Sequence, residues 1–151
     1  MLRKTYDGQN CSIARTLEVV GERWTLLIIR DAFLGITRFD GFLSRIPIAR
    51  NVLTDRLAGL VDHGILTRVR YQSHPPRHEY HLTPRGQDLL PVIITLTEWG
   101  DRHLAPAGPP REFAHKECGG QVTATLTCTA HTTPVPIPEI TSRPGPGSKQ
   151  P

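Results

Sequence analysis

Residues Arg38 to Thr83 read RFDGFLSRIPIARNVLTDRLAGLVDHGILTRVRYQSHPPRHEYHLT, and this stretch decides the fold. A short helix over Arg38 to Arg45 is broken by Pro47, which has no backbone N–H to donate. A second helix runs from about Ala49 to His63, with Leu53, Leu57 and Leu60 at helical spacing and Gly64 as its stop. Ile65 to Tyr71 and Arg77 to Leu82 then alternate as two strands about a Pro-rich tip. The order is a helix-turn-helix followed by a β-hairpin wing, a shape that fits one helix into the DNA major groove. The expected fold class is mainly α with a small β-hairpin wing (α+β), a winged helix-turn-helix.

Charge agrees with that shape. From residue 38 to 85 there are eight Arg and no Lys, opposed by Asp40, Asp55, Asp62 and Glu79. Phosphate backbones reward such a surface, because each neutralised phosphate releases condensed counterions. The whole 151-residue chain carries a formal net charge of +4. No apolar run approaches the roughly 20 residues a bilayer-spanning helix needs, so no membrane partner is expected. MLRKTYDGQNCS at the start lacks the apolar stretch of a secretory signal. The expectation is a cytoplasmic chain with reduced thiols, and its three cysteines cannot all pair within it.

Working outward, Asn10 is expected to cap a first helix through Gly21, with Ile13, Leu17 and Val20 on one face. WTLLIIRDAFL, Trp24 to Leu34, is apolar almost all round and is expected to be the buried central helix, ended by Gly35. Thr37 is placed to cap the helix that starts at Arg38. Beyond the wing, Thr83-Pro84 suits the start of a last helix reaching His103, with Pro91 bending or breaking it. Its stripe of Leu89, Ile93, Leu96 and Trp99, widened by Leu90 and Ile94, is broader than a small domain buries alone. A homodimer follows as the expectation.

Composition changes near Leu104: nine of the 14 Pro lie after it. The expected organisation is a DNA-binding and dimerisation domain over 10–104, a linker over 105–114, a small Cys/His segment over 115–139 and a disordered Pro/Gly-rich tail over 140–151.

On the second helix of the motif, Arg50, Asn51 and Thr54 occupy the first turns and face away from the leucines. Arg matches guanine, Asn matches adenine, and Thr contacts an edge or the thymine methyl. These are the candidate base readers. Arg38, Arg45 and Arg56 are placed for phosphates, and His74 and Arg77 at the wing tip for a neighbouring groove or its backbone. The plain alternative for any one of them is a solvated surface charge.

Four blocks, GERWTLLIIRDAFLGITRFDGF, LTDRLAGLVDHGILTR, PPRHEYHLTPRG and LTEWG, in this order resemble the HxlR-type winged helix-turn-helix regulators of bacteria. The resemblance spans about Cys11 to Gly100. It implies a homodimer whose N-terminal and last helices form the interface and whose second motif helix reads a palindromic operator. It implies core positions for Trp24 and Phe39, and a place for Glu79 and Tyr80 in the returning strand of the wing. The family often has Ser where this chain has Ala49, so a side-chain cap is missing there; such a cap is worth ~1 kcal/mol.

Several thiol-sensing members of that family carry a reactive cysteine where this chain has Cys11. With Asn10 as cap, Cys11 is the first helical residue, where the helix dipole favours thiolate. The plain alternative is a small buried hydrophobe. In the extension, His115-x-x-Cys118-Gly-Gly and Cys128-x-x-His131 make two short-spaced pairs suited to a tetrahedral, structural zinc. Gln121 to Thr127 between them alternates as a strand would. Some relatives in the resembled family carry such a ribbon with a second Cys-x-x-Cys-Gly, which this chain lacks. No cofactor is required by this reading.

The chain is therefore read as a sequence-specific, double-stranded-DNA-binding transcriptional regulator answering to a thiol-reactive or small apolar effector. The alternative is a winged-helix module that binds protein and not DNA. An enzyme is not expected, because no carboxylate accompanies a nucleophile or an open metal position.

Overall fold

The computed structural model describes Tyr6 and residues 8–148. Two compact units divide after Ile93, within the last helix.

The first unit holds α1 (Ser12–Val20), α2 (Thr25–Phe33), α3 (Phe39–Arg45), α4 (Arg50–Asp62), the strands β1 (Leu66–Gln72) and β2 (Arg77–Leu82), and the short α5 (Pro84–Gln87). Its core is built by Ile28 and Ile29 of α2, Phe42 of α3, Ile46 in the turn, Leu53, Leu57 and Leu60 of α4, and Leu66 of β1. Each such side chain contributes about 1.5–3 kcal/mol on burial. The leucine spacing on α4 thus does what its period implies. Gly64 follows that helix with φ +69 and Gly35 follows α2 with φ +87, a region glycine enters at no steric cost.

The strands pair antiparallel, from Leu66 opposite Leu82 to Gln72 opposite Arg77, with a bulge at Tyr71. A short extension of this sheet was not evident in the sequence. Tyr80 N–H donates to the Thr37 carbonyl at 2.7 Å, and Arg38 bridges to Glu79. The segment entering α3 is therefore stitched to the wing.

Several boundaries shift. Asn10 does not cap α1; Cys11 occupies the N-cap with φ −139, and the Asn10 Oδ1 accepts from Arg15 instead, at 3.0 Å. Ile13 and Leu17 do not face the core: they are 71% and 41% exposed, and Ala14 and Val20 form the buried side. Arg38, not Thr37, is the N-cap of α3, because the Thr37 carbonyl is committed to the wing. The central helix buries one charged residue, Asp31, beside Ile28 and Ile29.

The last helix is two helices. The Thr83 hydroxyl accepts from Gly86 N–H at 3.0 Å and caps α5, as expected. The chain breaks at Asp88 and Leu89 and resumes as α6 (Leu90–Leu104). Pro91 explains the break: it has no N–H for the preceding turn, and its ring crowds the carbonyl four residues back.

The second unit contains most of α6 and the extension. Two turns there share one hydrogen-bond pattern. His115 N–H donates to the Gly120 carbonyl and Gly119 N–H to that of His115; Cys128 N–H donates to Thr133 and Thr132 N–H to Cys128. Gly119 and Thr132 hold matching positive φ values of 71 and 55. Gln121 to Thr127 is not a strand. Its ends bridge to different partners, Ala114 and Pro134, and in its middle Ala124 N–H donates to the Glu98 carboxylate at 2.7 Å. A 3-10 turn, Ile137–Glu139, follows. No described helix is long and apolar enough to cross a membrane.

Candidate nucleic-acid interface

The turn Ile46 to Ala49 presents the N-terminus of α4. Ala49 is its N-cap and, having no side-chain oxygen, leaves the first N–H groups without a side-chain acceptor. Arg50, Asn51 and Thr54 are all exposed on the first two turns, opposite the buried Leu53 and Leu57. Arg50 is positioned by α3: its guanidinium meets Asp40 at 3.2 Å and lies 5.5 Å from the Phe39 ring centroid. The Thr54 hydroxyl donates back to the Arg50 carbonyl at 2.9 Å, so its lone pairs remain outward. The expected base readers therefore share one exposed surface.

The arginines assigned to phosphates divide. Arg38 is exposed, pairs with Glu79 at 2.9 Å and lies 4.3 Å over the Tyr71 ring. That arrangement ties the motif to the wing while leaving the guanidinium edge in solvent. His74 and Arg77 are exposed at the wing tip, as expected. Arg45 and Arg56 are engaged elsewhere. The Arg45 Nε donates to the buried Asp31 Oδ2 at 3.2 Å, while Arg30 holds Oδ1 at 2.9 Å. Arg56 turns to Glu22 at 3.3 Å. A buried carboxylate needs such partners, and sequence alternation cannot reveal where they come from.

Arg68 and Arg70 were not singled out by sequence. Their spacing of two places both on one face of β1, opposite Tyr80 and His78. His78 titrates below its ordinary value, chiefly because burial disfavours its charged form and then because Arg68 and Arg70 repel the proton. It therefore adds little positive charge at neutral pH. Glu79 is held below the usual carboxylate range, first by the hydrogen bond from Arg38, against opposing desolvation, with His81 adding to the lowering.

Trp24 and Phe39 are half-buried rather than central, Trp24 at the N-cap of α2 beneath Arg23 and Phe39 beneath Arg50. Cys11 is half-buried with a free thiol. In the extension, His115 Nδ1 lies 3.3 Å from Cys118 Sγ. Each Cys/His pair sits in its own turn, and among the described residues no three His, Cys, Asp or Glu side chains are grouped to hold a metal ion.

A family model described as HxlR-like helix-turn-helix matches residues 19–108. The HTH-type transcriptional regulator Rv3095 of Mycobacterium tuberculosis is 44% identical over 149 residues, covering 98% of this chain and 93% of that protein. The crystal structure of PA1607, described as a candidate transcription factor, superposes with TM-score 0.80 at 31% identity over 90% of this chain and 96% of that one. The redox regulator HypR in its reduced form superposes with TM-score 0.58 at 33% identity, over 61% of this chain and 92% of that one.

Proposed function

The chain belongs to the HxlR-like helix-turn-helix family, and on that premise we propose that it is a sequence-specific DNA-binding transcriptional regulator acting as a homodimer. The observation that carries this reading is the exposed trio Arg50, Asn51 and Thr54 on a helix whose opposite face is locked into the core. Such a helix enters the major groove without rearrangement, and these side chains match base edges. Arg38, Arg68, Arg70, His74 and Arg77 supply phosphate and wing contacts, whereas Arg45 and Arg56 act mainly by holding their acidic partners.

Dimerisation is supported by exposed apolar residues on two helices. Ile13 and Leu17 of α1, and Val92 and Leu96 of α6, are each more than 40% exposed. A second copy covering them makes the reading surface two-fold symmetric. The matching operator is a palindrome with half-sites about one helical turn, ~34 Å, apart. Cys11 is the thiol assigned to an oxidant or electrophile response. Its place at the start of α1 puts any adduct next to Ile13 and thus beside the proposed dimer surface.

Fluorescence anisotropy with DNA from upstream of the protein's own gene tests the reading. Wild type binds this DNA more tightly than scrambled DNA, and Arg50→Ala removes most of that preference, on the order of 10-fold or more. Equal binding to both DNAs, unchanged by Arg50→Ala, overturns direct readout and favours a protein-binding module.

A further inference from the structure

We propose that the cleft between α6 and the extension, inside the second unit, binds a small aromatic carboxylate. The cleft has a volume of about 420 Å³ and is walled by Trp99 on the helix and by Leu126, Val135 and Ile137 on the extension. That size and apolar lining suit a small-molecule site. Trp99 is 54% exposed, Leu126 55% and Ile137 72%, so three large apolar side chains stand around one concavity in contact with water. Hydrogen bonds fix the extension wall internally and tie it to the helix. Val135 N–H donates to the Leu126 carbonyl at 2.9 Å, and the Ala124 N–H to Glu98 bond fixes the extension on the helix.

The charge of the ligand follows from Glu98 and Arg102. Four residues apart on one helix, they are expected to pair with each other. Glu98 is instead turned to the Ala124 amide, and the Arg102 guanidinium has no hydrogen bond or ion pair among the described residues. Arg102 lines both the apolar cleft and an adjoining one that it shares with Glu98 and Asp101. A flat ring against Trp99 then places an anionic group at the Arg102 fork, which donates two parallel N–H bonds to a carboxylate. Glu98 and Asp101 repel a carboxylate placed on their side and so restrict it to Arg102.

Calorimetric titration of the full chain with 1-naphthoate, in the absence of DNA, tests this. Its outcome is independent of whether the protein reads DNA; only a coupling of the two would rest on that reading. Wild type binds 1-naphthoate, and Arg102→Gln weakens binding about 10-fold, the loss expected for a charge-assisted pair. The uncharged 1-naphthamide binds wild type and Arg102→Gln alike. Leu126→Asp abolishes binding of both while circular dichroism and thermal midpoint match wild type. No binding up to millimolar 1-naphthoate overturns the proposal, as does equal affinity of wild type and Arg102→Gln. A change of oligomeric state in Leu126→Asp without ligand binding also overturns it, by assigning the cleft to a second copy.

Discussion

Replacing Asp31 with Ala tests whether the helix-turn-helix is fixed to the central helix by one buried carboxylate. Asp31 is fully buried; Oδ1 accepts from Arg30 at 2.9 Å, and Oδ2 accepts from Arg45 of α3 at 3.2 Å. Removing one member of a fully buried pair costs ~3–5 kcal/mol, because the other is stranded. Here the stranded groups are guanidiniums whose side chains are 38% and 39% exposed, so water partly replaces the carboxylate. The expected loss is therefore roughly 2–3 kcal/mol. Urea unfolding at fixed protein concentration reads it as a midpoint drop of roughly 1 M, given a slope of ~1–3 kcal/mol/M. Arg45→Ala costs less, about 1–2 kcal/mol, because Arg30 still holds one oxygen while Oδ2 is left without its donor. The double mutant is expected to lose less than the sum of the two singles by ~1 kcal/mol. A loss under ~0.5 kcal/mol for Asp31→Ala, the size of an ordinary surface change, refutes the anchoring argument.

Four other outcomes follow from the same structure. Gly86→Ala places a Cβ 2.3 Å from the Ile65 backbone carbonyl; a loss of roughly 2–4 kcal/mol in thermal or urea unfolding is expected, and a neutral result would show that this junction yields. Glu79 titrates below the ordinary glutamate value because Arg38 holds its charged form. Its contribution is thus fully present above the unfolded-state pKa and is lost as pH falls through the folded one. Carboxyl NMR titration with Arg38→Gln is expected to move the Glu79 midpoint upward. Ile13→Asp with Leu96→Asp is expected to turn a dimer into a monomer by light scattering, and a monomeric wild type would refute the proposed interface. Finally, the two Cys/His pairs sit in separate turns, and elemental analysis tests the structural zinc proposed for His115, Cys118, Cys128 and His131: one equivalent per chain would show that the turns close on a metal, and none would refute it.

Much of this protein is legible in its sequence because local periodicity and turn chemistry are local physics. The leucines of α4 and the glycine stops at 35 and 64 mark their elements directly. So does Thr83 at the start of α5, and the hairpin pattern needs no knowledge of its surroundings. The outward placement of Arg50, Asn51 and Thr54 was readable too, since a helical period assigns outward positions once the inward ones are known. What the sequence could not decide were choices between competing partners. Asp31 sits within an apolar run, and only packing shows that Arg30 and Arg45 converge on it. Arg45 and Arg56 look like Arg38 along the chain, yet folding pairs the first two with Asp31 and Glu22, outside the helix-turn-helix and the wing. Asn10 lost the cap of α1 to Cys11, and the alternation of Gln121 to Thr127 was overridden when its amide met Glu98. Ion pairs and long-range hydrogen bonds depend on where distant segments meet. A periodic pattern names the inward face of each element, whereas only the tertiary structure decides which charges and apolar faces are left over for DNA, a second copy or a ligand.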